Sequence, residues 1–360
     1  MASVTQEQVL NALRRVIDPD LHRDIVTLGF VKDIRICDGV VAATIELTTP
    51  ACPVKDQLKE QAETAIRGLE GVREAKVRME AQVRPSSPFM GQSPIEGIRN
   101  VIPVGSGKGG VGKSTVSANI AVALASMGAT VGLMDADVYG PSIPTIMGVN
   151  EPPKPGSRGI LPIDAHGVKI ISMGFFLKPD QAVVWRGPML TKMIDQFLGG
   201  VEWGELDYLI VDLPPGTGDI QLSLCQKIPV TGAVVVSTPQ DVALTVAEKA
   251  IIMFNQLKTP ILGLVENMSY FVCPHCGERE NIFDTGGAER ASQRLNLPYL
   301  GAIPLATSIR KTSDSGRPIV IDDPASPSAI AFREIAQRLA AQVSIRNLQS
   351  EENAPVRISF

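Results

Sequence analysis

The stretch Gly107-Lys108-Gly109-Gly110-Val111-Gly112-Lys113-Ser114 follows an apolar run, Val101 to Val104, and opens into Thr115-Val116-Ser117-Ala118-Asn119-Ile120. It satisfies the phosphate-loop pattern G-x-x-x-x-G-K-S in the context that pattern requires, a strand before it and a helix after it. A polyphosphate needs many hydrogen-bond donors converging on one point. Glycines let successive backbone N–H groups turn inward where a side chain would collide. The helix that begins near Lys113 adds its positive end. Lys113 is placed to reach the β- and γ-phosphates, and the Ser114 hydroxyl to hold Mg²⁺. A glycine-rich turn without a ligand gives no reason for lysine and serine to follow it together.

Around this loop, from Arg99 onward, apolar runs alternate with helical stretches: Val101 to Val104, Val131 to Met134, Val168 to Met173, Tyr208 to Leu213, Ala233 to Val236, Ile261 to Val265 and Tyr299 to Ile303. Their scarcity of polar alternation is the pattern of strands buried on both faces. The fold class is therefore α/β, a doubly wound, mostly parallel sheet in a P-loop nucleotide domain over residues 99–344. Ligands gather at the carboxyl ends of such strands. There stand Asp135-Ala136-Asp137-Val138-Tyr139-Gly140-Pro141-Ser142 and Asp212-Leu213-Pro214-Pro215-Gly216-Thr217-Gly218-Asp219. An apolar run ending in Asp is the arrangement that holds Mg²⁺, and Pro-Pro-Gly-Thr-Gly has the make-up of a switch loop. Helix capping alone does not explain acids at both strand ends.

Residues 1–83 read as a small α+β domain. Val9, Leu10, Leu13, Val16 and Ile17 share a helical face, and strand-like runs follow at 30–36 and 40–47 with Asp38-Gly39 as a hairpin turn. A second helix presents Val54, Leu58, Ala62, Ala65 and Leu69, before a last strand at 72–79. Residues 84–98, rich in Pro, Ser and Gly, form a linker, and 345–360 a loose polar tail. The last helix puts Phe332, Ile335, Leu339 and Val343 on one face.

Composition limits the function classes. With 34 Lys and Arg against 38 Asp and Glu, the net charge of −4 gives no footprint for nucleic acid. The N-terminus lacks the basic-then-apolar order of a signal peptide. The longest uncharged stretch, Ser114 to Met134, reads as a helix followed by a buried strand, not a membrane span. The expectation is a cytoplasmic protein without a membrane partner, and five cysteines, an odd number, point to reduced thiols.

Two of those thiols lie in Cys273-Pro274-His275-Cys276-Gly277. The C-x-x-C spacing lets two thiolates converge on one metal, but one pair is half a tetrahedral set and the chain has no second pair. A twofold dimer would supply the rest. A redox dithiol and an inert loop stay open beside this reading, with His275 as a solvated imidazole. Cys52, just before Pro53 at an expected helix start, is either a transient ligand with a dipole-lowered pKa or a small packing residue. Cys37 and Cys225 are expected to pack.

The loop's first lysine, Lys108, makes K-G-G-V-G-K-S-T resemble the deviant Walker A motif of the MinD, ParA and nitrogenase iron protein superfamily. The resemblance implies an ATP-dependent homodimer in which Lys108 crosses to the partner's phosphates. A solvated loop lysine is the alternative. It also implies that Asp137 positions the attacking water, that Asp212 serves Mg²⁺ and that Asn267 contacts the base. Asp18-Pro19, Asp24 to Gly29 and Thr48-Thr49-Pro50-Ala51-Cys52-Pro53 resemble the MIP18-like (DUF59) domain. Together these motifs resemble the Mrp/ApbC/NBP35 family. That likeness implies a carrier that holds an iron–sulfur cluster, of the 4Fe-4S type, at a dimer interface on Cys273 and Cys276. Such a carrier exchanges with an assembly scaffold and apo-proteins under ATP control. A MinD-like positioning ATPase with a structural zinc or dithiol is the competing class. It would need a basic amphipathic end, whereas Gln349-Ser350-Glu351-Glu352-Asn353-Ala354-Pro355 is acidic and contains proline. A nitrogenase-type reductase would need cysteines near the switch loops, and none stands between Gly107 and Leu224.

Overall fold

The computed structural model describes residues 4–86, 95–176, 187–216, 218, 221, 225–226, 228–273 and 275–352. The chain divides into two compact units, Met1–Arg84 and Pro85–Phe360.

In the small unit, helix Gln6–Leu13 starts at a reciprocal capping box between Thr5 and Gln8, which satisfies two otherwise orphaned N–H groups. Strands Val31–Cys37 and Val40–Leu47 pair antiparallel around Asp38 and Gly39, both at positive φ (45° and 75°). Two such residues in succession make the hairpin turn that matches strand twist, and Asp-Gly adopts it readily. Helix Lys55–Arg67 returns the chain so that Glu74–Ala81 pairs parallel with Val40–Leu47. The core is built from Val9, Leu13, Val41, Ile45, Leu58 and Ile66. Two sequence expectations change here. The first helix ends at Leu13, so Ile17 sits in a two-residue strand, 48% exposed, instead of extending the helical face. Cys37 is exposed on the hairpin rather than packed, because it takes an outward position at the end of its strand.

The large unit holds an eight-stranded sheet. Its order is Tyr299–Ala302, Ile261–Glu266, Ala233–Ser237, Val101–Ser106, Tyr208–Asp212, Val131–Asp135, Val168–Ser172, Ile163–Ala165. Every neighbour is parallel except the last pair. The strand Tyr208–Asp212 enters between Val101–Ser106 and Val131–Asp135, which brings three carboxyl ends together beside the phosphate loop. Helix Lys113–Ser126 is buried along most of its length, from Val116 through Leu124. The last helix, Pro327–Glu352, buries Phe332, Ile335, Leu339 and Val343 as its periodicity requires, and packs on helix Lys113–Ser126 and strand Tyr299–Ala302.

That helix corrects the expected loose tail over residues 345–352. Asn347 is buried, and its side-chain amide donates to Asn100 Oδ1 at 2.9 Å, so the polar face has an interior partner. Residues 353–360 and the linker's centre, 87–94, lie outside the described residues. No helix among the described residues is long and apolar enough to cross a membrane.

Candidate functional site

The phosphate loop closes on itself through glycine geometry. Gly112 is left-handed (φ 79°), and a Cβ there would meet Asn267 Nδ2 at 2.2 Å. Gly107 has the same constraint from packing: a Cβ would meet the Val246 carbonyl at 2.4 Å. Helix Lys113–Ser126 begins at Gly112 without a side-chain cap, which leaves its first-turn N–H groups for an anion.

At the helix start the polar side chains converge on one carboxylate. Asp212 is fully buried. It accepts from the Ser114 hydroxyl at 2.6 Å and from the Ser117 hydroxyl at 2.6 Å, and the Lys113 ammonium lies 2.7 Å from Oδ2. Lys113 is itself only 6% exposed, so this pair is shielded from water. One strand over, and in register with Asp212, stands Asp135, which the sequence reading assigned no role. Burial first, then the charge of Asp212, hold its carboxyl well above the ordinary carboxylate range. It accepts from Ser172 Oγ at 2.9 Å and from the N–H groups of Asp137 and Ile143. Asp137 is half-buried, and desolvation raises its pKa too, opposed by Lys113.

Lys113, Ser114 and Asp137 open onto a cavity of about 600 Å³ lined by the loop residues from Lys108 to Thr115, by Asn267 and Met268, and by the segment after strand Tyr299–Ala302. Asn267 is buried and donates its amide to the Val111 carbonyl at 2.8 Å, which ties it to the phosphate loop. A wider groove in the small unit, about 980 Å³, is lined by Gln8 and Asn11 of the first helix, Gln57 and Glu60 of the second and the turn residue Arg15, without comparable convergence of donors. The expected switch-loop residues Thr217 and Asp219 lie outside the described residues.

The thiol pair is built differently. Strands Phe271–Val272 and Arg279–Glu280 form a two-residue ribbon, closed by Cys273 N–H to the Glu278 carbonyl (2.9 Å) and Gly277 N–H to the Cys273 carbonyl (2.9 Å). This turn aims the N–H groups of Cys276 and His275 at the Cys273 sulfur. With the Cys276 thiol they hold the Cys273 pKa below its ordinary value. Cys276 and His275 are exposed; Pro274 lies outside the described residues. Among the described residues no group of three or more His, Cys, Asp or Glu side chains is placed to hold a metal ion. Two thiols therefore come together here, and no third donor joins them among the described residues.

Cys52 reverses the expectation of a dipole-lowered thiol. The helix starts only at Lys55, and burial, aided by Asp18 and Asp20, pushes the Cys52 thiol up to about 11. Cys225 packs as expected, its thiol raised to about 12 by burial. Sequence reasoning also missed Ser117, whose spacing one turn after Ser114 is the available signal.

Comparison with known proteins adds independent findings. Residues 97–340 match the family described as NUBPL iron-transfer P-loop NTPase, and residues 6–78 match one described as iron-sulfur cluster assembly protein. Proteins named "Iron-sulfur cluster carrier protein" are similar over the whole length. That of Deinococcus radiodurans is 48% identical, covering 97% of this chain and 99% of its own. That of Escherichia coli is 42% identical over 98% and 95%. Among solved structures, a nucleotide-binding protein from Archaeoglobus fulgidus in complex with ADP is 44% identical, with a TM-score of 0.56 over 62% of this chain and 88% of that one. The cell division ATPase MinD of Pyrococcus furiosus is 25% identical, with a TM-score of 0.51 over 66% and 97%.

Proposed function

We infer the function from one premise: the chain belongs to the NUBPL iron-transfer P-loop NTPase family, and it is an ATPase that carries iron–sulfur clusters. The cargo, we propose, is a 4Fe-4S cluster held between two copies of the chain, by Cys273 and Cys276 of each. The observation that carries this reading is the knuckle itself, two converging thiols open to solvent with no third donor among the described residues. Four thiolates complete the ligand set of such a cluster, and a twofold axis doubles a pair with no further sequence requirement.

Within the nucleotide pocket each residue has a task that its surroundings suit. Lys113 swings from Asp212 to the β- and γ-phosphates, while the first-turn N–H groups hold the rest of the chain of phosphates. Ser114 and Asp212, whose oxygens already lie 2.6 Å apart, suit a shared Mg²⁺, which when bound offsets the charge of the phosphates. Asp137, on the cavity wall, orients the attacking water. Lys108 of one copy reaches the γ-phosphate of the other and stabilises charge developing there. Asn267 is the residue proposed to meet the adenine edge. Hydrolysis gates release of the cluster to apo-proteins, and an assembly scaffold supplies it. The work is done in the cytoplasm, without nucleic acid or membrane.

Anaerobic reconstitution tests the reading: iron and sulfide counts, an absorption spectrum and the molar mass of the loaded protein. The expected result is four irons and four sulfides per dimer, lost when Cys273 or Cys276 becomes alanine. Unchanged iron and sulfide in a variant lacking both cysteines would overturn it.

A further inference from the structure

The residues from Tyr270 to Thr285 carry the thiol knuckle away from the sheet, and both ends of this excursion are fastened at one buried side chain. Glu266, the last residue of strand Ile261–Glu266, is fully buried. Its Oε1 accepts from the Ser269 hydroxyl at 2.5 Å and from the Gly286 N–H at 2.9 Å; its Oε2 accepts from the Ala288 N–H at 2.7 Å. Ser269 is at the entry to the excursion. Gly286 and Ala288 are at its exit, where helix Gly287–Leu295 begins. The two ends also touch directly, Ser269 Oγ lying 3.0 Å from Thr285 Oγ1. Hydrogen bonds to a carboxylate are stronger than those between neutral groups, so this clasp is a stiff joint.

The same run of chain reaches the nucleotide pocket. Asn267 follows Glu266 and is bonded to the phosphate loop at Val111. Met268 lines the cavity and adopts a left-handed backbone (φ 56°), uncommon for a residue with a bulky side chain. Ser269 N–H donates to the Ile303 carbonyl at 2.9 Å, and Leu305 N–H to the Tyr270 carbonyl at 2.7 Å. Leu305 lines the nucleotide cavity as well. Within four consecutive residues, Asn267 thus grips the phosphate loop while Glu266 and Ser269 grip the base of the thiol excursion.

We propose that Glu266 is the positioning residue that couples nucleotide occupancy to the thiol knuckle. Its carboxylate makes residues 266–269 and both ends of the excursion move as one body. A displacement of Asn267 on nucleotide binding is therefore transmitted to Cys273 and Cys276. This deepens the carrier reading and rests on its ATP-gated release, although the coupling itself needs no cluster. Glu266 neither transfers a proton nor ligates a metal in this role. Because coupling free energies are reciprocal, a ligand bound reversibly by the two thiols must change nucleotide affinity by the same factor as nucleotide changes that ligand's affinity.

The test uses the full chain without cluster. Labelling rates of Cys273 and Cys276 with iodoacetamide are measured by mass spectrometry, with and without saturating Mg²⁺ and ATPγS. Wild type is expected to show a rate ratio of about fivefold or more, the lower end of usual coupling. In Glu266→Gln, where one acceptor oxygen becomes a donor facing an N–H, the ratio should fall to near one, while ATPγS affinity stays within about threefold. Glu266→Asp, which keeps both acceptor oxygens, should restore part of the ratio; a merely structural loss would not be rescued in this readout. A wild-type ratio of one, or an unchanged ratio in Glu266→Gln, overturns the proposal. If Glu266→Gln does not fold, Ser269→Ala decides: a reduced ratio supports the coupling and an unchanged ratio rejects it. A failed reconstitution would count against the carrier reading and leave this ratio standing.

Discussion

The phosphate loop and the Cys273–Cys276 knuckle are both short glycine-bearing turns, and both stand out in the sequence, yet the chain completes one and leaves the other half made. Around the loop, Asp212 has three side-chain partners and no exposure, so the loop's chemistry is fixed before any ligand arrives. Around the knuckle, backbone N–H groups tune one sulfur, but no third donor joins the pair among the described residues. A preorganised pocket favours tight binding because little ordering remains to be done. An open half-site favours exchange, since each additional donor comes from outside and can leave again. A carrier needs both, a firm hold on the nucleotide and a releasable hold on the cargo.

The comparison is broken most forcefully at Lys108, the one loop residue proposed to act outside its own pocket. Lys108→Ala should keep nucleotide affinity and lose turnover by a factor on the order of 10³, the scale of a cation supplied in trans. ATPase rates and binding isotherms for the same preparation separate the two quantities. Full turnover in the variant would return Lys108 to the role of a solvated lysine and leave the loop self-sufficient.

Thiol reactivity sharpens the contrast from the other side. A thiol reacts as its thiolate, present above its pKa. Cys273, lowered, should therefore label at pH 7–8, whereas Cys52, near 11, should stay slow until the pH approaches that value. At pH 8 the thiolate fractions differ by at least about 10², and the lower nucleophilicity of the more acidic thiol cuts the expected rate ratio to about tenfold. Equal rates across pH 7–10 would mean that neither environment acts as described. Cys52→Ala, by the same reasoning, should leave cluster binding at the knuckle intact.

Gly112 gives a smaller effect. An alanine there faces both a left-handed backbone and the Asn267 amide, costing about 1–3 kcal/mol and weakening nucleotide binding about tenfold. Calorimetric binding together with thermal unfolding would read both. An unaffected variant would show that the loop tolerates more freedom than its packing allows. Smallest of all should be the effect of Cys273→Ala on the nucleotide pocket, with ATP affinity within about twofold and stability within about 0.5 kcal/mol, as for substitutions outside the core. A large loss there would mean that the Cys273 side chain itself supports the nucleotide pocket.

Much of this was readable in the residues. The seven apolar runs of the large unit are all strands, because burial on both faces leaves an unbroken apolar signal. The eighth strand, Ile163–Ala165, escaped notice: it is three residues long, contains Asp164, and is held only as an edge hairpin through His166 and Gly167. At the site, the strand-end acids were legible as a group, but D-A-D offers two carboxylates and only the register with Asp212 shows that Asp135 is the buried one. Cys52 misled for a related reason. Nearness to a helix start suggests a dipole, while the desolvation that outweighs it depends on residues distant in sequence. Glu266 carried no motif at all, and its meaning comes from Gly286 and Ala288, some twenty residues on.

The bond between Asn347 and Asn100 spans 247 positions of sequence. At synthesis rates of about 5–20 residues per second, Asn100 is synthesised roughly 12–50 s before its partner exists. During that interval helix Lys113–Ser126 lacks the final helix that packs against it, so its apolar face is open to solvent and to chaperones. The small unit, whose contacts close within the first 84 residues, needs no such wait. On a translating ribosome, the unit bearing Cys52 is finished while the nucleotide pocket is still waiting for its last helix, and the order of synthesis becomes the order in which the two units can meet their partners.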